Sequence, residues 1–337
     1  MLAEELLDPV KRYVNQIDFG LALGLQTKTE LTVEFLAQGE YNLNYLLQSG
    51  EQKFVLRINT GSQMNLENQI AYEFRALQLL GNSNVTPQAF YLDDTQQKIP
   101  HGLLVMEYLP GRPLNYRTDL VQAARTLARV HSLEFKDENI EFLVKEPGPF
   151  TGIYNEACRL SEKYFTCPRA NPQTARRLEH YLTKADERKQ QEEYLLKEPW
   201  LRVINTEVNS HNFIVNAQTK SCFLIDWEKP IYGEPAQDLS HFLIETTTFW
   251  KGNYVLSPEE EALFLEAYLQ ELPPCPQAKT LVDRVEMFKF FNYLRAISWC
   301  AMAWTEYTQP GRPLSNNDTF EKIKRYIEPD FLDRIIG

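Results

Sequence analysis

The sequence predicts an α+β fold, with a small antiparallel sheet in the N-terminal part and a larger, mainly helical C-terminal part. Two features support this prediction. Between residues 31 and 58, three short runs of strand-forming residues are separated by turns, a pattern typical of an antiparallel meander. Beyond Pro113, apolar residues recur mainly at helical spacing, and a single hairpin signal interrupts them between residues 213 and 225.

The composition is that of an ordinary globular protein. The chain has 337 residues, of which 43% are apolar and 24% charged, so its length permits one large domain or two lobes. The formal net charge of −11, without any basic block, disfavours nucleic-acid binding, because affinity for a phosphate backbone comes from clustered cations. A nucleotide remains compatible, since a few local cations and a metal ion suffice to hold it.

Several features indicate a cytoplasmic protein. The five cysteines are odd in number and include no Cys-x-x-Cys pair, which indicates reduced thiols and no zinc site. Residues 1–9 are acidic and lack a long apolar core, so they do not resemble a signal peptide. No run approaches the ~20 apolar residues that a membrane span needs, so no membrane partner is expected.

The first elements form a nucleotide-binding pattern only when they are taken together. Residues 1–30 are expected to be a helical or irregular lead-in to the meander, which carries Gly39 in its first turn. In a nucleotide-binding lobe, such a turn would cover the phosphates with backbone N–H groups. A single glycine in a hairpin is more often only a turn residue, so Gly39 alone decides nothing.

A helix is predicted over residues 65–81. Ile70, Phe74 and Leu77 recur at helical spacing, and Gly81 is a plausible end. Glu73 falls on or beside this apolar stripe.

A carboxylate at the position of Glu73 needs a cation, because burying it alone is costly. Arg57, in the third predicted strand, is the natural partner, and its planar guanidinium could also bind phosphate oxygens. The alternative is that both side chains lie on the surface.

Further along the chain, residues 102–109 form a predicted buried strand that Pro110 and Gly111 end. Helices are expected over residues 119–133, 258–272 and 281–307, the last one apolar nearly all round and therefore buried. The dense run of charges over residues 172–195 indicates a solvated helix face.

The stretch from Leu201 to Asp238 carries the strongest chemical signal. Two apolar runs, residues 213–215 and 222–225, flank a turn-prone linker and predict a hairpin. Asn212 precedes the first strand and Asp226 follows the second, so an amide and a carboxylate oxygen lie at the two ends. Such oxygen ligands, completed by phosphate oxygens, suit Mg²⁺. Glu207 lies five residues before Asn212, so one loop could bring both groups into one cleft.

This stretch resembles the catalytic segment of the aminoglycoside phosphotransferase and choline kinase superfamily. The pattern of that superfamily is His-x-Asp, four residues, Asn, and then a hairpin that ends in Asp. Asn212 and Asp226 match the two metal-binding positions, whereas Glu207 stands in place of the catalytic Asp and Asn205 in place of the His. Residues 232–239 are similar to the Gly-Asp-Pro-Ala-x-Asp-Leu element of the family, with Asp238 as its structural acid.

The resemblance implies a two-lobed protein kinase-like fold. Residues 1–110 would form the N-terminal nucleotide-binding lobe, and residues 111–337 the C-terminal helical lobe that carries catalysis and acceptor binding. The implied cofactors are ATP and Mg²⁺, and the implied reaction moves the γ-phosphate to a hydroxyl of a small molecule. Partners would be limited to the nucleotide and this acceptor, and the chain would be a monomer or homodimer.

The resemblance also assigns residues. The catalytic set is Glu207 and Asn205, the metal set is Asn212 and Asp226, the nucleotide set is Gly39, Asn42, Arg57, Glu73, Glu107 and Tyr108, and the acceptor set is Glu228, Trp250, Trp299 and Trp304. Trp250 is expected in a loop after the hairpin. Aromatic rings attract cations, although tryptophans on a buried helix are more often plain core residues.

Three functions stay open at this point. The chain could be a small-molecule kinase with Glu207 as the base, a catalytically impaired kinase-like protein that binds a nucleotide or metabolite, or a scaffold that binds no nucleotide. The side chain of Glu207 is one methylene longer than the Asp of the family, which moves its carboxylate by ~1.5 Å. Residues 55–58 and the tryptophan helix suggest a choline- or ethanolamine-like acceptor, whereas the core motif is equally compatible with an aminoglycoside.

Overall fold

A computed structural model describes residues 2–25, 30–62, 64–146, 148–310 and 317–336. The strands are β1 Thr32–Gln38, β2 Asn42–Ser49, β3 Gln52–Asn59, β4 Ala89–Asp93, β5 Gly102–Glu107, β6 Arg112–Pro113, β7 Val144–Lys145, β8 Arg202–Ile204, β9 Phe213–Asn216, β10 Ser221–Leu224 and β11 Ile231–Gly233. The helices are α1 Leu2–Val14, α2 Ile17–Ala22, α3 Gln69–Leu80, α4 Leu120–His131, α5 Asp137–Ile140, α6 Pro149–Phe165, α7 Pro172–Arg188, α8 Glu192–Lys197, α9 Pro235–Leu243, α10 Glu245–Gly252, α11 Pro258–Glu271, α12 Leu281–Tyr307, α13 Asn317–Tyr326 and α14 Pro329–Ile336.

The chain divides into two compact units, each made of several segments. The first unit comprises Met1–Leu114, Arg125–Val144 and His211–Pro230, and the second comprises Asn115–Ala124, Lys145–Ser210 and Ile231–Gly337. The division into a nucleotide-binding lobe over residues 1–110 and an acceptor lobe over residues 111–337 stays a prediction.

The first unit is built on a five-stranded antiparallel sheet with the order β1-β2-β3-β5-β4. The predicted meander is present, and Gly50 closes its second turn with a φ of +59°, where glycine carries no steric cost. Alternating residues of β2 and β3, among them Tyr45, Leu47 and Leu56, are buried on one face of the sheet. The lead-in is helical in α1 and α2, and the hydroxyl of Tyr45 donates to the carbonyl of Ala3 at 2.8 Å.

Helix α3 packs on this sheet and corresponds to the helix predicted over residues 65–81, although it begins only at Gln69. The side chain of Asn68 caps its start by accepting the Ala71 N–H at 3.2 Å, and the α-helix ends at Leu80, directly before Gly81. Gly102 at the start of β5 allows α3 to lie close to the sheet, because a Cβ at this position would lie 2.5 Å from Cγ2 of Ile70 in α3.

The predicted hairpin is also present in the first unit. Strands β9 and β10 pair antiparallel, with Val215 opposite Cys222, and β6 extends them into a three-stranded sheet. Gly111 lies against this sheet so closely that a Cβ would be 2.6 Å from the carbonyl oxygen of Val215. The predicted buried strand is β5, and it ends before Pro110 and Gly111 as expected.

The second unit is mainly helical. Helix α12 packs against α6, where Phe150 and Phe291 stack with ring centroids 4.2 Å apart, and against α9. The side chain of Asn292 donates to the Ser240 hydroxyl of α9 at 2.7 Å. Strands β8 and β11 pair antiparallel beside α9, with Ile204 opposite Ile231.

Two expectations for this unit are wrong. Helix α12 spans the predicted residues, but it is not buried all round, since the side chain of Trp299 is 42% exposed. The cause is that α6, α9 and α13 cover only part of a helix of 27 residues. Trp250 lies in helix α10 rather than in a loop. The residues that end a helix, Gly252 and Asn253, come only after Trp250, and Asn253 has a φ of +49°. In the part of the chain that the structure describes, no helix has both the length and the apolar character needed to cross a membrane.

Candidate active site

A buried arginine organises the polar residues of the first unit. The guanidinium of Arg57 on β3 donates through Nη1 to Glu73 of α3 and to Asp226 Oδ1 at 3.1 Å, and through Nε to Asn44 at 3.0 Å. Arg57 is 7% exposed and Glu73 1%, so the alternative that both lie on the surface is wrong. Through its bonds to Glu73 and Asp226, Arg57 connects the sheet with α3 and with the segment that follows the hairpin.

The electrostatics of this cluster favour an added cation. Burial raises the pKa of Glu73 to about 7, against the opposing effect of the Arg57 charge. Burial by itself would lower the pKa of Arg57, but the Glu73, Asp226 and Glu228 carboxylates raise it overall, so the guanidinium stays charged. Asp226 and Glu228 therefore add negative charge around the Arg57–Glu73 pair, an arrangement that attracts a further cation.

The hairpin brings the two predicted metal residues to its base. The N–H of Ile225 donates to the carbonyl of Asn212 at 2.8 Å, which fixes Asn212 beside the residue that precedes Asp226. Asp226 has a φ of +65°, in the left-handed region that aspartate tolerates better than most residues. Among the described residues, no group of three or more His, Cys, Asp or Glu side chains is arranged to hold a metal. A metal here would rely on Asn212, Asp226 and the oxygens of a ligand.

Asn42, predicted to bind nucleotide, and Glu228, predicted to bind acceptor, contact each other. The side-chain amide of Asn42 donates to Glu228 Oε2, and Asn59 donates to Asn42 Oδ1 at 3.0 Å. Gln69 of α3 donates to the backbone carbonyl of Glu228 at 2.5 Å, and the Tyr72 hydroxyl donates to the carbonyl of Pro230. These bonds anchor the segment after the hairpin to β2 and α3.

The first turn of the meander does not require a glycine at position 39. The N–H of Gly39 donates to the carbonyl of Asn42 at 2.8 Å. A Cβ at Gly39 would meet only that carbonyl oxygen, at 3.8 Å, which is an ordinary contact. A role of this turn in phosphate binding stays a prediction.

The end of β5 holds the other two predicted nucleotide residues. The backbone of Glu107 pairs with Gln88 through an N–H···O bond of 2.8 Å, and its carboxylate accepts the Gln88 N–H at 3.2 Å. The ammonium group of Lys53 lies 5.6 Å from the ring centroid of Tyr108.

In the second unit, the loop after β8 carries Glu207 and is held at four points. The side-chain oxygen of Asn205 accepts the Glu207 N–H at 3.2 Å, which forms an Asx turn. Asn209 donates to the carbonyl of Glu207 at 2.8 Å, and Asp238 of α9 accepts the N–H groups of Asn205 at 2.7 Å and Thr206 at 2.8 Å. Asn205 is buried, whereas Glu207 is half-buried. The residue that replaces the histidine of the motif therefore positions the backbone of Glu207.

Two features of this loop were not predicted from the sequence. Thr206 has a φ of +72°, and no local signal marks a threonine for this conformation. Tyr116, which precedes α4, accepts the Ser210 N–H on its hydroxyl at 3.2 Å, and burial raises the pKa of Tyr116 to about 12. Its ring is stacked on that of Tyr254 with centroids 6.5 Å apart. An aromatic residue just beyond the predicted strand break was the only available hint.

The structure brings together two of the three predicted acceptor tryptophans. The rings of Trp250 and Trp299 meet edge to face with centroids 5.8 Å apart, and Trp250 also stacks on Tyr326 of α13 at 5.9 Å. Trp304 packs instead on Tyr164 of α6, at 5.4 Å.

A charged cluster beside these tryptophans was also missed. Glu245, at the start of α10, is buried and accepts bonds from Arg325 at 3.0 Å and from Arg334 at 2.7 Å. Arg325 also lies 3.7 Å from the ring centroid of Phe249. One aromatic residue of α10, Phe249, therefore already contacts a cation that belongs to the chain itself.

Comparison with known proteins relates the sequence to one family. Residues 32–278 match the model of the phosphotransferase enzyme family. The human protein acyl-CoA dehydrogenase family member 11 is 27% identical in an alignment of 252 positions, which covers 69% of this chain and 30% of that protein. The chain therefore corresponds to less than a third of the length of this relative.

Solved structures show the same fold at low sequence identity. A Ralstonia eutropha JMP134 protein, provisionally assigned as an aminoglycoside phosphotransferase, has a TM-score of 0.67 and 16% identity, with 96% of each chain covered. The choline kinase LicA from Streptococcus pneumoniae has a TM-score of 0.61 and 18% identity, over 98% of this chain and 99% of that one. A spectinomycin phosphotransferase in complex with ADP and spectinomycin has a TM-score of 0.56 and 14% identity, over 91% and 93% of the two chains. The predicted α+β, protein kinase-like fold is confirmed.

Proposed function

Because the chain belongs to the phosphotransferase enzyme family, we propose that it transfers the γ-phosphate of ATP to a hydroxyl of a small molecule, with Mg²⁺ as cofactor. The observation that carries this proposal is the contact of one buried guanidinium, that of Arg57, with both Glu73 and Asp226. Protein kinases use a cation on the corresponding strand, paired with a helix glutamate, to hold nucleotide phosphates.

Arg57 supplies the positive charge for the phosphates in this proposal. Glu73 and Asn44 fix the direction of its side chain, so little rotamer entropy is lost when phosphate binds. Its remaining N–H groups offer a planar set of donors, which suits phosphate oxygens.

Asn212 and Asp226 are the residues that would hold Mg²⁺. Their donor set fits, because it consists of one amide and one carboxylate oxygen, and Mg²⁺ commonly takes few protein ligands and completes its shell with phosphate and water. When bound, Mg²⁺ neutralises charge on the transferring phosphoryl group. The carboxylate of Asp226 is one-third exposed, so it keeps an accessible side beyond its bond to Arg57.

Glu207 is the proposed base that orients the acceptor hydroxyl and takes its proton. Phosphoryl transfer needs positioning more than covalent chemistry from the protein, so the support of the loop matters as much as the carboxylate. Asn205, Asn209 and Asp238 supply that support through the bonds described above.

A nucleotide-binding protein without turnover is the second candidate. It is favoured by the replacement of both residues of the His-x-Asp pair, by Asn205 and Glu207. The Asx turn formed by Asn205 and the two hydrogen bonds to the Asp238 carboxylate favour an active kinase, because they hold the loop that presents the carboxylate of Glu207.

The acceptor is proposed only as a small hydroxylated molecule. A choline-like acceptor was suggested by the tryptophan helix, but Arg325 already lies on Phe249 of α10 and neutralises Glu245 together with Arg334. A quaternary ammonium on Phe249 would have to compete with Arg325. Neutral or less cationic hydroxyl compounds belong in the acceptor screen beside choline, ethanolamine and aminoglycosides.

The first test is calorimetric titration of ATP into the full chain, with and without Mg²⁺. Binding that requires Mg²⁺, followed by acceptor-dependent release of ADP, is the expected result. Mg²⁺-independent binding without turnover would favour the second candidate. Absence of ATP binding would contradict both and leave a scaffold.

A further inference from the structure

A cavity of about 410 Å³ lies within the second unit, at the opposite end of β8 from the loop that carries Glu207. Its wall is mostly apolar and is formed by residues from α8, from the segment that leads into β8 and from the start of α6. These residues include Pro149, Leu195, Leu196, Pro199 and Leu201. A cavity of this size, lined by apolar groups and a few polar ones, is typical of sites for small organic molecules.

One amide side chain lines the cavity and forms no hydrogen bond with a described residue. Gln237 of α9 lines the cavity and is only 3% exposed. Its backbone groups are bonded, the N–H to Glu234 and the carbonyl to Asn292, but among the described residues none forms a hydrogen bond with its side-chain amide. Because this amide borders the cavity, its N–H groups and carbonyl oxygen can pair with a molecule that enters it.

The charged groups in the wall do not form a cluster of one sign. Glu234 in the wall is paired with Arg284 at 2.8 Å. Lys145 and Glu146, also in the wall, carry opposite charges, and the Lys145 ammonium lies 5.9 Å from the ring centroid of Tyr232. The wall therefore holds no group of like charges that would select a charged ligand, which makes it suited to a neutral occupant.

We propose that this cavity binds a small, neutral molecule with an apolar body and a carboxamide- or lactam-like edge, which pairs with the side-chain amide of Gln237. An amide offers N–H donors beside a carbonyl acceptor, and a second amide edge complements both with two hydrogen bonds. The body of the ligand packs against Leu195, Leu196 and Pro199. The site is separate from the proposed phosphotransferase residues and does not depend on that activity.

Benzamide is the probe that tests this site, because it combines an apolar ring with an uncharged carboxamide. Titration into the full chain, followed by calorimetry, should show saturable binding of one molecule with a dissociation constant on the order of 1 mM or tighter. Benzoate, which is charged, and N,N-dimethylbenzamide, which has no donor, should bind at least about tenfold more weakly, since each leaves part of the Gln237 amide unpaired.

Two variants separate this site from non-specific binding. Gln237→Met removes the amide and keeps the length of the side chain, so benzamide binding should fall at least about tenfold. Gln270→Met, at an exposed position of α11, is the matched control and should bind benzamide as the wild type does. If Gln237→Met fails to fold, Leu196→Trp serves instead, because this exposed residue lines the cavity and a larger ring would narrow it.

Two results would overturn the inference. One is the absence of saturable benzamide binding by the folded wild-type chain. The other is equal benzamide affinity in the wild type and in a folded Gln237→Met or Leu196→Trp variant. Asp226→Ala, in the first unit, should keep benzamide binding whether or not the proposed nucleotide site is correct, so the two proposals fail independently.

Discussion

The carboxylate of Asp238 accepts the backbone N–H of Thr206 at 2.8 Å, while Thr206 holds a φ of +72°. This left-handed conformation is rare for a β-branched residue, because its branched side chain crowds the backbone. The second oxygen of Asp238 accepts the N–H of Asn205 at 2.7 Å. Asp238 therefore stabilises the conformation that presents Glu207, the next residue along the loop.

Asp238→Asn should weaken this loop. The amide nitrogen of asparagine cannot accept an N–H, so one of the two buried donors at Asn205 and Thr206 loses its partner and the other loses its charged acceptor. We expect the free energy of unfolding to fall by about 2 kcal/mol, measured by urea denaturation. Asp318→Asn, at an exposed position, is the control and should change it by less than about 0.5 kcal/mol. An Asp238→Asn variant that is as stable as this control would show that Asp238 does not stabilise the loop.

Thr206→Gly should relieve backbone strain. A non-glycine residue in this region costs of order 1–3 kcal/mol, and part of that gain is offset by the greater freedom of glycine in the unfolded chain. We expect unfolding to require up to about 1 kcal/mol more free energy. Thr183→Gly, in the exposed face of α7, should have the opposite sign, since glycine disfavours a helix. Destabilisation of similar size in both variants would show that Thr206 is not strained.

Glu207→Gln tests the proposed base directly. The substitution keeps the size of the side chain but removes its capacity to accept a proton, so turnover should fall at least ~10²-fold with little change in ATP affinity. The measurement is ADP release with an accepted substrate, beside calorimetry of ATP. Glu207→Asp is the matched control, because it keeps a carboxylate and shortens the side chain by ~1.5 Å. Turnover that survives Glu207→Gln would remove Glu207 from this role.

Asp226→Ala tests the metal site. Removal of the carboxylate leaves Arg57 paired with Glu73, so the buried ion pair and the fold should persist. ATP affinity should then become nearly the same with and without Mg²⁺, because the remaining amide of Asn212 is a weak ligand alone. Calorimetric titration at two Mg²⁺ concentrations measures this. An unaltered Mg²⁺ dependence would exclude Asp226 as a ligand.

Secondary-structure elements that are defined by a local residue pattern could be predicted from the sequence. The hairpin over residues 213–224 has turn residues between two apolar runs, and helix α12 has sustained helical spacing, so both were predicted within a residue or two. The ion pair between Arg57 and Glu73 could also be predicted from the sequence, because a carboxylate on an apolar helix face requires a cation. The motif around Asn212 and Asp226 identified the family.

Interactions between distant residues could not be predicted in the same way. Asn42 and Glu228 are 186 residues apart, and Glu245 and Arg334 are 89 apart, so no local spacing relates them. The conformation of Thr206 depends on Asp238, which lies in another element. The prediction placed Trp250 in a loop because tryptophan itself does not indicate a helix. The end of helix α10 is determined by the later residues Gly252 and Asn253.

Glu234 links stability to pH. It is 4% exposed and paired with Arg284, and burial raises its pKa to about 8, against the opposing charge of Arg284. Between its ordinary pKa of 4.5 and about 8, the folded chain holds a proton that the unfolded chain has released. The free energy of unfolding should therefore be highest below this window and fall as the pH rises through it.

Glu234→Gln removes this titration and imitates the protonated carboxyl, which still can accept a bond from Arg284. Urea denaturation at about pH 5 and pH 8 should show that the wild type loses at least about 1 kcal/mol more stability than the variant over this interval. Glu266→Gln, at an exposed position of α11, controls for the general effect of charge and should follow the wild type. Parallel pH profiles for the wild type and Glu234→Gln would mean that Glu234 is ionised throughout, with its charge fully compensated by Arg284.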